Sequence, residues 1–95
     1  MVAPSGAKAP FDPEAPARLH PAVALRDESF GALAYHFGNR RLVFLKSREL
    51  VELVVDLEHH ECARAAVSAH VEHDDVEAYV AALGRLYDSG VIDGR

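Results

Sequence analysis

The chain has 95 residues, enough for one small domain folded around one core. About half of those residues are hydrophobic and the net charge is −5, which argues against a general affinity for DNA, RNA or an anionic membrane, because such binding is driven by clustered Lys and Arg. A single cysteine, Cys62, excludes an internal disulfide, and neither a signal peptide nor an apolar run near the roughly 18 residues that span a bilayer is present, so the expectation is a soluble cytoplasmic protein.

The first stretch, "MVAPSGAKAPFDPEAPARLHP", holds all five prolines (Pro4, Pro10, Pro13, Pro16 and Pro21) among small residues. Proline lacks an N–H and disfavours helix at the residue before it. Residues 1–20 are therefore expected to be a disordered tail, and residues 21–95 the folded domain.

From Pro21 the chain alternates. "AVALRD" places Val23 and Leu25 on one side, and "GALAYHF" places Leu33, Tyr35 and Phe37 on one face and Ala32, Ala34 and His36 on the other. Gly38-Asn39 has the residue types of a two-residue hairpin turn, which would pair Phe37 with Arg40, Tyr35 with Leu42 and Leu33 with Phe44. The expected product is a three-stranded antiparallel meander with an aromatic inner face and an alanine-rich outer one. After Ser47, the expected N-cap, the period becomes helical, with Leu50, Leu53, Val54 and Leu57 on one stripe. A short second helix is read over residues 61–69. In the third, Asp74 and Glu77 have the spacing of a capping box. Val76, Tyr79, Val80, Leu83, Leu86 and Tyr87 form its stripe, Ser89-Gly90 ends it, and Val91-Ile92 tucks back on the core. The order is α+β: a three-stranded antiparallel sheet, then three helices.

That layout is also the outline of a winged helix, but a recognition helix needs basic or amide side chains aimed at base edges. The third helix carries Asp74, Asp75, Glu77 and Asp88 against Arg85 alone. A second alternative is a small zinc module built from His59, His60, Cys62, His70 and His73; the spacing matches no zinc motif, and no metal ligand is assigned. Nor is there a GxGxxG, P-loop or GxSxG pattern. The expectation is a binding protein without catalytic residues and without cofactor.

The stretch "LHPAVALRDESFGALAYHFGNRRLVFLKSRELVELV", residues 19–54, closely resembles the mycofactocin biosynthesis peptide chaperone family, most specifically in "FGALAYHFG" and the following "RRL" and "FLK". A weaker likeness continues to "LYDSGVI" at residues 86–92. That family is similar in fold to the pyrroloquinoline quinone peptide chaperone and to RiPP recognition elements generally. The resemblance implies that the chain binds a ribosomally made precursor peptide and presents it to a radical S-adenosylmethionine maturase, which modifies the peptide's C-terminal Val-Tyr end. It also implies a groove between the third strand and the third helix, where the peptide extends the sheet.

The third strand lies in an otherwise acidic chain, yet Arg40 and Arg41 precede it and Lys46 follows it. As a sheet edge it would offer unpaired N–H and C=O groups to a peptide. Its cations would discourage self-pairing and attract acidic side chains. With a two-residue turn, Arg41, Val43 and Leu45 direct their backbone groups to the free edge. The expected peptide-binding set is Arg40, Arg41, Val43, Leu45 and Lys46, joined by Tyr79 and Leu83 from the sheet-ward margin of the third helix. On that phase, Val43→Pro would spare the fold and Leu42→Pro would break it.

Overall fold

A computed structural model describes residues 9–95. Five strands and three α-helices occur in the order β1 (Ala17–Leu19), β2 (Val23–Glu28), β3 (Gly31–His36), β4 (Leu42–Leu45), α1 (Arg48–Asp56), α2 (Ala63–His70), α3 (Val76–Asp88) and β5 (Ile92–Gly94), with 3₁₀ turns at Leu57–His59 and His73–Asp75. The α+β order expected from the sequence is therefore present. β2, β3 and β4 form an antiparallel meander with β3 in the middle, and β1 pairs with β5 in a second, two-stranded sheet.

The meander keeps the expected pairing, Leu33 opposite Phe44 and Tyr35 opposite Leu42. Its faces are the reverse of those expected. Ala32, Ala34 and Leu45 are buried against the helices, while Phe37, Leu42 and Phe44 are 59–63% exposed. With Ala32, Ala34 and Leu45 the core holds Ala17 from β1, Val51, Leu53, Val54 and Leu57 from α1 and its following turn, Ala63, Ala66 and Val67 from α2, Leu83 and Leu86 from α3, and Val91 and Ile92. Alanines on both the sheet and α2 let backbones approach closely, which bulky rings on the inner face would prevent. Size was the wrong guide to the inside.

The turn also differs from expectation. It is a four-residue loop, residues 37–40: His36 N–H donates to Arg41 O (3.0 Å) and Arg40 N–H to His36 O (2.8 Å). The His36 Nδ1 accepts from the Gly38 and Asn39 N–H groups, and Asn39 Oδ1 accepts from the Arg41 N–H. Those side chains satisfy the loop's donors without a two-residue turn, and Arg40 occupies the left-handed region at φ 63. One pair is removed from each side, so the register stays while the hydrogen-bonding phase is exchanged.

Helix ends follow local chemistry. Ser47 caps α1, its Oγ accepting from Leu50 N–H at 3.0 Å, as expected. The capping box expected at α3 is not formed. The N-cap is Asp75, with no side-chain bond, and Glu77 pairs with Arg64 of α2, which also holds Glu14. The C-terminus of α3 is a Schellman motif: Gly90, at φ 88, donates to Tyr87 O and Val91 to Leu86 O. This turn sends the chain back into the buried Val91-Ile92 pair.

Disorder across residues 1–20 is corrected for residues 9–20; residues 1–8 lie outside the described residues. β1 pairs Ala17, Arg18 and Leu19 with Gly94, Asp93 and Ile92. Phe11 packs on Tyr87 with ring centroids 5.5 Å apart, and the Tyr87 hydroxyl donates to Ala9 O. Backbone hydrogen bonds from Ala63 and Arg64 to Ala15 and Pro13 hold the proline-rich segment on α2. Prolines suit it because an extended strap uses few of its own donors.

Candidate functional site

β4 is an edge strand, and beside it the fold leaves a groove of about 510 Å³ lined by Val43, Phe44, Lys46, Leu50, Ala82, Arg85, Leu86 and Ser89. A smaller recess of about 210 Å³ continues it past Ala78 and Tyr79 and shares Lys46, Leu50 and Ala82. Ser47, as the cap of α1, sets the angle at which the chain leaves β4, and this leaves the strand and α3 as facing walls. The floor is apolar. Lys46 on one wall and Arg85 on the other are exposed cations, and neither forms an ion pair among the described residues. The same holds for Arg40 and Arg41 at the start of β4.

Backbone availability follows from the turn. His36 and Arg41 are a hydrogen-bonded pair, and such pairs alternate in an antiparallel ladder. Ala34–Val43 and Ala32–Leu45 are thus bonded pairs too, and a Cβ on Gly31 would lie 2.1 Å from Leu45 O, consistent with that carbonyl facing β3. Leu42 and Phe44 point their N–H and C=O groups to the free edge. This corrects the expected assignment to Arg41, Val43 and Leu45, whose side chains were also expected on the outer face. The Val43 side chain instead lines the groove and that of Leu45 is fully buried.

Of the expected set, Val43, Lys46 and Tyr79 converge on the groove and its recess. Arg40 and Arg41 stand exposed at the start of the strand. Leu83 is fully buried in the core and does not reach the groove. Sequence reasoning missed Leu42 and Phe44 as edge residues, and Leu50, Ala82 and Arg85 as groove walls. A signal existed in α3: Ala78, Ala82, Arg85 and Ser89 recur at i, i+4, i+7 and i+11, a row of small residues with one cation beside the large apolar stripe.

The histidine-rich stretch is arranged differently from a zinc module of His59, His60, Cys62, His70 and His73. Asp56 Oδ2 lies 2.7 Å from His60 Nε2 and 2.8 Å from His70 Nε2. Cys62 Sγ accepts from Ala65 N–H at 3.4 Å as the cap of α2, while His59 and His73 are exposed. Among the described residues, Asp56, His60 and His70 alone have a ligand-like grouping. The hydrogen bonds from His70 and His60 hold the Asp56 carboxyl below the usual carboxylate value of 3.8. The pairing ties the end of α1 to the end of α2.

No helix among the described residues is long and apolar enough to cross a membrane. The peptide chaperone MftB family matches residues 16–93, from just before β1 into β5. The chain is 51% identical over 83 residues to the peptide chaperone MftB of Mycolicibacterium smegmatis, an alignment covering 86% of this chain and 81% of the relative. It is 45% identical to the protein of that name from Mycobacterium tuberculosis and 44% identical to that from Mycobacterium ulcerans, each over 86% of this chain and 76% of the relative. No solved structure matches significantly. The family's span takes in the open edge of β4 and the apolar groove beside it, and the chain belongs to the peptide chaperone MftB family.

Proposed function

We propose that this chaperone holds the mycofactocin precursor peptide as a fourth strand on the edge of β4, with side chains in the groove toward α3, and delivers it to a radical S-adenosylmethionine maturase in the cytoplasm. The observation that carries this reading is the free β4 edge, with Leu42 and Phe44 backbone groups available, directly beside an apolar groove with unpaired cations on both walls. Strand addition takes affinity from main-chain hydrogen bonds and selectivity from pockets for alternate side chains. Val43, Leu50, Tyr79 and Ala82 offer such pockets, and Lys46, Arg85, Arg40 and Arg41 favour an acidic peptide. Arg40 adds support from strain, since a non-glycine residue held at φ 63 is found disproportionately at functional sites.

The test is titration of labelled precursor peptide into the wild-type protein and into Ala82→Arg. Ala82 is half-buried on the groove wall, so arginine there fills the groove without opening the core. Saturable wild-type binding weakened at least tenfold by Ala82→Arg is expected. Equal affinity in the two proteins, with the variant folded, excludes the groove as the site.

A further inference from the structure

The face of the meander turned away from the helices is the aromatic one. Register stacks Ala24, Tyr35 and Leu42 in one row across the sheet and Arg26, Leu33 and Phe44 in the next. Phe30 packs edge-on against Phe44 (centroids 5.7 Å) and Phe37 against Tyr35 (5.1 Å), with Phe30 still 44% and Phe37 63% exposed. A contiguous exposed apolar patch on a small protein marks an interaction surface. Charge is segregated around it. Residues 30–48 hold four cations and no acid, so a chain of net −5 carries +4 there and −9 elsewhere. Arg26 is neutralised by Glu28 and Arg48 lies 3.6 Å from Asp27, but Arg40 and Arg41 at one end of β4 and Lys46 at the other have no ion-pair partner among the described residues.

We infer that this face docks the enzyme that acts on the bound peptide, through an apolar surface on that enzyme flanked by carboxylates. The inference rests on the proposed function. Three observations choose this occupant. A second copy meeting face to face would bring the unpaired cations of both copies together about the two-fold axis. A membrane or nucleic acid would meet a molecule whose remaining surface is strongly negative. Finally, Phe44 and Lys46 line both the peptide groove and an open recess of about 350 Å³ that they form with Phe30 on the outer face. A peptide strand added to β4 therefore widens the outer face by one strand, and the enzyme rests on chaperone and substrate together. Peptide and enzyme then strengthen each other's binding by one common factor.

The measurement is the affinity of maturase for chaperone, with and without saturating precursor peptide, for the wild type and for the double variant Phe30→Ser, Phe37→Ser. Neither residue lines the peptide groove. Expected are tighter wild-type binding when peptide is present, at least tenfold weaker maturase binding by the variant, and peptide affinity unchanged within about twofold. Phe37→Ser alone, at the most exposed ring, serves if the double variant does not fold. Undiminished maturase binding overturns the proposal. So does a wild-type dimer that the variant dissolves in sedimentation, or wild-type binding to anionic vesicles or single-stranded RNA that the variant abolishes. Failure of wild-type protein to bind peptide at all would instead strike the proposed function, which the same titration reads separately.

Discussion

Three single residues carry constraints that their side-chain types alone do not announce. Gly31 sits at φ 150, and a Cβ there would meet Leu45 O at 2.1 Å and Ser47 N at 3.0 Å, both backbone. Neither can move without shifting the β4–α1 junction. Gly31→Ala is therefore expected to cost about 3 kcal/mol, read as a lower midpoint in urea unfolding with unchanged slope. Arg40 is the converse case, a side chain held where glycine would be easier. Arg40→Gly should leave stability equal or higher by up to about 1 kcal/mol, while weakening precursor peptide most at low salt. Equal weakening at all salt concentrations would mean that its charge is not what the peptide meets. Asp56 supplies a pH dependence. Its folded-state pKa is held below 3.8 by His70 and then His60, so at low pH the unfolded chain binds more protons than the folded one. That contribution is present above about pH 4 and is lost as pH falls through the depressed value. Thermal melts should therefore show the wild type losing more stability than Asp56→Asn between about pH 5 and pH 2. Parallel losses would show that the pairing has no net effect on folding.

At the scale of the element, β4 shows what the sequence revealed and what it hid. Alternation in "GALAYHF" and "RRLVFL" sufficed for strands and pairing, because register is constrained by both the turn and the side-chain pattern. It did not reveal which face is buried, since the rule that large apolar groups go inside is broken where a surface serves a partner. Nor did it reveal hydrogen-bonding phase, which depends on whether His36 and Asn39 cap the loop. The exchange of phase reverses a testable outcome. Val43→Pro should now break the ladder to β3 and lower the melting temperature sharply. Leu42→Pro, whose N–H faces the free edge, should remain folded and bind precursor peptide poorly. A stable, peptide-binding Val43→Pro protein would restore the two-residue turn. The helices were more legible: Ser47 as a cap and Gly90 as a stop acted as read, whereas the acidic box at α3 was diverted to Arg64.

For the whole molecule, the boundary drawn at residue 20 proved too late. Composition flagged the prolines, but no local pattern discloses that a strap will be pinned by a C-terminal strand far along the chain. Its anchors are Phe11 on Tyr87, Glu14 on Arg64 and β1 on β5. Deleting residues 1–19 is expected to lower the melting temperature by about 10 °C or more, the scale of a loss of about 2 kcal/mol in a domain of this size. Deletion of residues 1–8 alone is the control: if both truncations melt alike, residues 9–19 contribute nothing to stability. The groove was legible only in outline, as a strand facing a helix, because the family resemblance conveyed topology, whereas its walls depend on how α1 leaves β4.

The pairing of β1 with β5 also bears on how the molecule is made. Ribosomes deliver a chain from its N-terminus, so Ile92 to Gly94 emerge after every other strand and helix of the described fold. Until then β1 has no strand to pair with, and the core lacks Ile92, which is fully buried in the folded protein. Helices and meander can begin locally, but this long-range closure pays its loop entropy last. A translation product stalled short of Val91 would therefore be left as a partly built molecule with its core uncovered.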